Sequence, residues 1–146
     1  MLNKIFKIIR EHGRILVTFF GLNIKFKNPF VSQFGDCCYI PDLQRFLDTG
    51  TRFAHPIGIV IAEDVIIGKH CDIYQNVTIG KKYGTEGKSP VIGDNIQIYA
   101  NACVLGDIKI GNNVIIGASS VVLNDVPDNA IVAANPAKII KYVETK

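Results

Sequence analysis

One histidine stands in a setting that could support acid–base chemistry. His55 opens the stretch His-Pro-Ile-Gly-Ile-Val-Ile at 55–61. A histidine titrates near neutral pH, so it can take the proton from a hydroxyl as that hydroxyl attacks an acyl group. A histidine at a surface corner can instead be a merely solvated or capping residue, which we expect for His12 and His70. We select His55 as the candidate general base.

The cysteines give no sign of a metal or redox centre. Cys37, Cys38, Cys71 and Cys103 include no pair at C-x-x-C spacing. A zinc site would need several histidines close together, and the chain has three in all. Unpaired thiols are typical of proteins in reducing compartments. We expect structural thiols, no metal and a cytoplasmic location.

Composition and charge restrict the class of protein. The 146 residues are 48% hydrophobic and 20% charged, which is typical of a globular domain with a buried core. The net charge of +3 comes from basic residues spread along the chain, without a motif that reads nucleic acid. The charge therefore suits an anionic small ligand, and we expect no nucleic-acid partner.

A six-residue repeat begins at residue 61. Branched aliphatic residues recur at every sixth position in two runs, Ile61, Ile67, Ile73 and Ile79, then Ile92, Ile98, Val104, Ile110, Ile116 and Val122. The position four residues further along is small or apolar each time, namely Val65, Cys71, Val77, Ile96, Ala102, Ile108, Val114, Ser120 and Val126. A spacing of six fits neither a helix nor a long alternating strand. Short strands and corners, three hexads to a coil, would stack into a parallel β-helix with both positions inside.

Glycines and one insertion interrupt the repeat. Glycine often follows the aliphatic position, as at Gly93 and Gly111, which suits a chain that turns sharply every few residues. The step from Ile79 to Ile92 does not fit whole hexads, and residues 81–90 are rich in charge and turn residues. We expect a loop extruded from one corner at 81–90.

The segment ahead of the repeat is predicted to be helical. Its apolar run, 15–22, is too short to span a bilayer, and no A-x-A-like cleavage site follows it. We predict an amphipathic helix over residues 2–21, packed outside the coil and able to contact the inner face of the membrane. The expected domains are an N-terminal helical and irregular segment, 1–38, and a β-helix domain with a C-terminal tail, 39–146.

Five stretches together resemble the hexapeptide-repeat acyltransferases, in particular the serine acetyltransferase branch with its polysaccharide O-acetylating relatives. They are His-Pro-Ile-Gly-Ile-Val-Ile-Ala-Glu (55–63), Tyr-Gln-Asn-Val-Thr-Ile-Gly (74–80), Val-Leu-Gly-Asp-Ile-Lys-Ile-Gly (104–111), Gly-Ala-Ser-Ser-Val-Val-Leu (117–123) and Asn-Pro-Ala-Lys-Ile-Ile (135–140). The resemblance implies a left-handed parallel β-helix in a fold dominated by β-structure. It also implies acetyl-CoA as co-substrate and a homotrimer with active sites between subunits.

The resemblance assigns roles to individual residues. It places the catalytic histidine on His55 and an acidic residue of the acceptor pocket on Glu63. The residues expected beside the CoA arm and near its nucleotide end are Gly80, Ala100, Ala118 and Lys138. The aspartate that orients the family's histidine has no clear match, although Asp42 and Asp48 are near in sequence.

Two positions depart from the serine acetyltransferases. Lys88 and Ser89 stand where those enzymes carry an arginine and a histidine that help to bind the amino acid carboxylate. Lys88 can still pair with an acceptor carboxylate, but without the forked geometry of arginine. The sequence therefore favours an O-acetyltransferase acting on a sugar hydroxyl of a surface polysaccharide. Serine O-acetylation and a non-catalytic binding or scaffold β-helix are the alternatives.

Overall fold

The chain divides into two compact units, Met1–Asp36 and Cys37–Lys146. The computed structural model describes residues 6–11, 14–19, 22–27, 37–41, 43–84 and 87–143. In this described part, no helix has the length and apolar character needed to cross a membrane.

The first unit contains an antiparallel sheet, so the predicted helix over residues 2–21 is wrong. Its strands, in the order β1-β2-β3, are β1 (Phe6–Glu11), β2 (Arg14–Phe19) and β3 (Leu22–Lys27). The segment is rich in β-branched and aromatic residues, and its sequence has Gly13 and Gly21 between consecutive strands. Such residues favour hairpins and weaken a continuous helix. The predicted membrane contact rested on an amphipathic helix, and strands take the place of that helix.

The second unit is built from short strands that wind around three faces. Its strands are β4 (Arg52–Phe53), β5 (Val60–Ile61), β6 (Ile66–Ile67), β7 (Asp72–Ile73), β8 (Thr78–Gly80), β9 (Val91–Ile92), β10 (Gln97–Ile98), β11 (Cys103–Leu105), β12 (Lys109–Ile110), β13 (Ile115–Ile116), β14 (Val121–Val122), β15 (Ala130–Ala133) and β16 (Lys138–Tyr142). The first face has the order β16-β15-β13-β10-β7-β4, the second β14-β11-β8-β5 and the third β12-β9-β6. Pairing is parallel except between β15 and β16. The predicted parallel β-helix is confirmed.

The interior of the β-helix is the ladder that the repeat predicts. Every residue at the two repeat positions, from Ile61 to Val126, is buried, and Cys71 is fully buried among them. Ile73, Ile98 and Ile116 occupy one register row across three coils. Burial of one such aliphatic side chain stabilises a fold by roughly 1.5–3 kcal/mol. Apolar burial therefore holds the coils together.

Three corners join the faces. They are the His55 corner (54–58, 74–76, 99–101 and 117–119), the Glu63 corner (62–64, 80–84, 87–90, 105–107 and 123–125) and the Asn95 corner (68–70, 93–95, 111–113 and 127–129). At the last of these, Asn95, Asn113 and Asn129 have φ of 56°, 55° and 59°. Asparagine tolerates this left-handed region better than most residues. The Asn95 amide donates to Asn113 at 3.2 Å and the Asn113 amide to Asn129 at 3.0 Å, which links the coils.

The glycines that follow the aliphatic positions allow neighbouring coils to approach each other. Gly93 and Gly111 lie outside the left-handed region, so a sharp turn is not what requires them. A Cβ on Gly93 would lie 2.7 Å from the Gly111 carbonyl oxygen, and one on Gly111 would lie 2.6 Å from the Asp128 nitrogen. The close packing of coils, rather than the turn we expected, excludes a side chain at both positions.

The loop at 81–90 lies where the sequence predicts it. Its described residues, 81–84 and 87–90, form no strand and connect β8 to β9 at the Glu63 corner. Thr78 pairs with Cys103, twenty-five positions on, whereas Cys103 pairs with Val121, eighteen positions on. One coil therefore absorbs the whole insertion.

A short helix that the sequence analysis did not predict precedes the first coil. It is α1 (Leu43–Asp48), and its Phe46 is buried. The Phe46 ring meets Phe53 edge-on at 6.4 Å between centroids, and Arg45 Nη2 donates to the Val65 carbonyl at 3.2 Å. The helix thus packs against the core beside the first coil.

Candidate active site

His55 lies on a turn that is longer than its counterparts. Arg52 pairs with Asp72, twenty positions on, while on the next face Val60 pairs with Thr78, eighteen positions on. The first coil therefore carries two additional residues between these strands. His55 has a φ of 54° and an exposed side chain within this longer turn. The extra length presents the imidazole at the surface of the corner.

The segment just before the helix α1 holds this turn in place. The Gly58 amide donates to the Cys37 carbonyl at 2.8 Å. The Cys38 thiol donates to the Pro56 carbonyl at 3.2 Å, and the Cys37 thiol lies 3.8 Å from the same oxygen. The residue directly after His55 is thus fixed by two neighbouring cysteines.

Gln75 and then two small residues follow His55 up the same corner. Phe53 is in register with Ile73, which is in turn in register with Ile98 and Ile116 on the later coils. Gln75, Ala100 and Ala118 therefore occupy the place of His55 on successive coils. Ala118 is exposed and Ala100 half-buried. About three strand spacings of about 4.8 Å separate Ala118 from His55 along the axis of the β-helix, which is a distance of about 14 Å. The corner therefore has little side-chain bulk at these two positions, while Tyr74 and Tyr99 stack beside them with ring centroids 4.9 Å apart.

Lys138 stands at the far end of the same corner. It is the first residue of β16 and pairs with Ala133. The residue before Ala133, Val132, is in register with Ile116. Its side chain is exposed. The fold thus brings a cation to the end of the His55 corner opposite the histidine.

The other predicted site residues lie at the Glu63 corner. Glu63 and Lys88 are exposed, and a Cβ on Gly80 would lie 3.4 Å from the Ala62 Cβ. The second face separates this group from His55. Five residues of extended chain, from 58 to 63, span about 16 Å. One chain therefore holds the predicted residues in two separate groups.

Tyr39 is a polar neighbour of Glu63 that the sequence analysis missed. Its hydroxyl donates to Glu63 Oε1 at 2.9 Å, and its backbone bridges Val60. The hydrogen bond to Glu63 raises the pKa of the Tyr39 phenol, which keeps it a donor at neutral pH. No hexad covers Tyr39, so the repeat could not place it.

The start of the Glu63 corner is tied to the end of the extruded loop. The Ser89 hydroxyl donates to Asp64 Oδ1 at 2.6 Å, and Lys81 Nζ lies 3.2 Å from Asp64 Oδ2. The Ser89 hydrogen bond, with a contribution from Lys81, lowers the pKa of Asp64 to about 2. Ser89 is buried, so its hydroxyl is committed to the scaffold.

Of the two sequence candidates for the acidic partner of His55, the structure describes only Asp48, whose carboxylate is hydrogen-bonded within its own helix. The Asp48 carboxylate accepts from the Gln44 amide at 2.8 Å, within α1, and Asp42 lies outside the described residues. Among the residues that the structure describes, no group of three or more His, Cys, Asp or Glu could hold a metal ion.

Comparison with known proteins identifies the repeat. Residues 89–124 match the profile of the bacterial transferase hexapeptide family (six repeats). The match identifies hexapeptide repeats like those of that transferase family at residues 89–124. The serine acetyltransferase of Synechococcus elongatus is 45% identical over 95 residues, which is 64% of this chain and 39% of that protein. The hexapeptide-repeat chain thus spans about two fifths of that curated relative's length.

Solved structures share the fold of the hexapeptide-repeat domain. The Neisseria gonorrhoeae serine acetyltransferase superposes with a TM-score of 0.62 at 39% identity, covering 66% of this chain and 38% of that one. A serine acetyltransferase in complex with CoA gives a TM-score of 0.57 at 42% identity, covering 62% and 37%. The predicted left-handed β-helix is confirmed.

Proposed function

We propose that the domain is an acetyl-CoA-dependent O-acetyltransferase with His55 as its general base. The observation that carries this proposal is the alignment of His55, Ala100 and Ala118 on one corner. A long, narrow thioester arm fits a path of small residues, with its reactive end beside the imidazole. Lys138 would then stand near the anionic end of the ligand. The CoA complex of a serine acetyltransferase supports the same class of co-substrate.

The chemistry requires one base. His55 accepts the proton of the acceptor hydroxyl while that oxygen bonds to the thioester carbonyl carbon. The tetrahedral intermediate collapses, the carbon–sulfur bond breaks, and the CoA thiolate leaves and takes the proton that His55 accepted. A positioned base contributes about 10²–10⁴-fold, and holding both substrates together supplies the remainder. The scheme needs no covalent enzyme intermediate.

L-Serine is the acceptor that the relatives support. Both the curated relative and the solved structures described above are serine acetyltransferases. Glu63 could accept a hydrogen bond from the α-ammonium group of serine, and Lys88 could pair with its carboxylate as a point charge.

A sugar hydroxyl is a second candidate, which the loop contacts favour. Ser89 is buried and bonded to Asp64, so it cannot bind an acceptor carboxylate. Tyr39 leaves 53% of its surface exposed beside the Glu63 carboxylate. An exposed ring next to a hydrogen-bond acceptor suits a neutral, hydroxylated ligand.

We propose a homotrimer as the active form. The two groups of predicted residues lie about 16 Å apart on one chain, by the rise of an extended strand. A neighbouring copy could bring its Glu63 corner toward the His55 corner of the first, so that each cleft holds both groups. Closed cyclic symmetry would repeat this contact without leaving an open end. Sedimentation equilibrium at micromolar concentration tests it, since an active monomer would contradict the proposal.

Two measurements test the function. CoA should raise the melting temperature of the full chain, because a ligand of the folded state stabilises it. Release of free CoA thiol from acetyl-CoA should then depend on an added acceptor, with L-serine and a panel of methyl glycopyranosides as the two arms. An unchanged melting temperature and no acceptor-dependent release would favour the scaffold alternative.

A further inference from the structure

Cys37 and Cys38 bring two thiols to the turn that carries His55. Both sulfurs contact the Pro56 carbonyl oxygen, Cys38 at 3.2 Å and Cys37 at 3.8 Å. The Cys37 side chain is exposed and that of Cys38 half-buried. Cys71 is buried and Cys103 lies on the second face, far along the chain from this pair. Among the described residues, Cys37 and Cys38 are therefore the one pair of neighbouring thiols that a reagent can reach.

The two thiols act on each other as well as on the turn. Burial raises the pKa of the Cys38 thiol, and the neighbouring Cys37 thiol raises it further. The Cys38 thiol is therefore protonated at neutral pH and able to donate to Pro56. The Gly58 amide, at the other end of the turn, donates to the Cys37 carbonyl at 2.8 Å. Displacing this pair would loosen both ends of the turn.

We propose that Cys37 and Cys38 form a dithiol site for a thiophilic electrophile that bonds to both sulfurs. Binding of this electrophile displaces the turn that carries His55. A trivalent organoarsenical represents this chemical class. Its arsenic-bound oxygen takes the two thiol protons and leaves as water, so that the bonding between arsenic and oxygen breaks while two As–S bonds form. Arsenic stays trivalent, so no oxidant or reductant is needed. The consequence for turnover rests on the proposed acetyl transfer, whereas the binding itself does not.

The site can be tested with phenylarsine oxide on the full chain. Intact-protein and peptide mass spectrometry should show one adduct that bridges Cys37 and Cys38, and 2,3-dimercaptopropanol should remove it. Cys37→Ser and Cys38→Ser should each lose the stable adduct, whereas Cys103→Ser, the matched control, should keep it. Acetyl transfer by the wild type and by Cys103→Ser should fall about tenfold or more as the adduct forms, as expected when an active-site group is misplaced.

Each outcome decides the proposal. An adduct on another cysteine, or its persistence in Cys37→Ser, would overturn the dithiol site. A full adduct with unchanged turnover would overturn its control of His55. An adduct on a wild type that transfers no acetyl group to any acceptor would instead contradict the proposed function. In that case the NMR resonances of the His55 ring still test displacement of the turn. A shift on binding that is absent in Cys38→Ser would support displacement, and unchanged resonances in the wild type would refute it.

Discussion

The carboxylate of Asp64 accepts a hydrogen bond from the Ser89 hydroxyl at 2.6 Å, across 25 positions of sequence. This contact closes the base of the extruded loop, and Lys81 adds an ion pair at 3.2 Å. It also explains why a serine can stand where the serine acetyltransferases carry a histidine. Here the position supports the loop rather than an acceptor.

We predict that this contact makes stability depend on acid pH. The pKa of Asp64 falls from 3.8 to about 2 on folding, mainly through Ser89. A lowered folded-state pKa gives stability that is present above pH 3.8 and is lost as the pH falls toward about 2. Melting temperatures of the wild type and Asp64→Asn should therefore differ at neutral pH and converge near pH 2. A constant difference across this range would contradict the role of the Asp64 charge.

The Asn95 corner offers a test of the left-handed turns. Asn113 combines a φ of 55° with hydrogen bonds to Asn95 and Asn129. Asn113→Gly should lose about 1 kcal/mol through the missing hydrogen bonds, and Asn113→Ala about 2 kcal/mol because a left-handed alanine adds strain. Denaturant unfolding gives both values. Equal losses would show that backbone strain does not matter there, and turnover per folded molecule should be unchanged in both variants.

The repeat predicted the fold because it encodes inward positions. Ile61 and the aliphatic residues that follow it are buried as expected, since two side chains in each hexad fill the core. The same logic does not apply before residue 61. There the hairpins were mistaken for a helix, because basic residues spaced around an apolar run fit both structures.

The candidate site was only partly predictable for the same reason. His55 could be selected from its local sequence, but its longer turn depends on the register of Arg52 with Asp72. The contact of Tyr39 with Glu63 joins residues 24 positions apart, and one of them precedes the repeat. Outward-facing contacts across coils leave no periodic signal in the sequence.

The path beside the CoA arm should be sensitive to bulk at Ala118. Its side chain is exposed, so Ala118→Leu should leave the melting temperature almost unchanged. The added side chain should raise the KM for acetyl-CoA by about tenfold or more, because it fills the space in which we propose that the arm lies. Lys109→Leu presents a leucine on the third face of the preceding coil, away from the His55 corner, and serves as the control. Equal KM values for the two variants would contradict the proposal that the CoA arm lies along the His55 corner.

The most direct test of the general base is turnover by His55→Asn. Asparagine tolerates the left-handed φ of 54° at this position, so the substitution removes the imidazole while keeping the turn. Steady-state acetyl transfer, with acetyl-CoA titration and thermal melts of both proteins, separates chemistry from binding and folding. We predict a loss of at least about 100-fold in kcat, with the melting temperature and acetyl-CoA affinity nearly unchanged. A kcat within about threefold of wild type, corrected for folded fraction, would contradict His55 as the base.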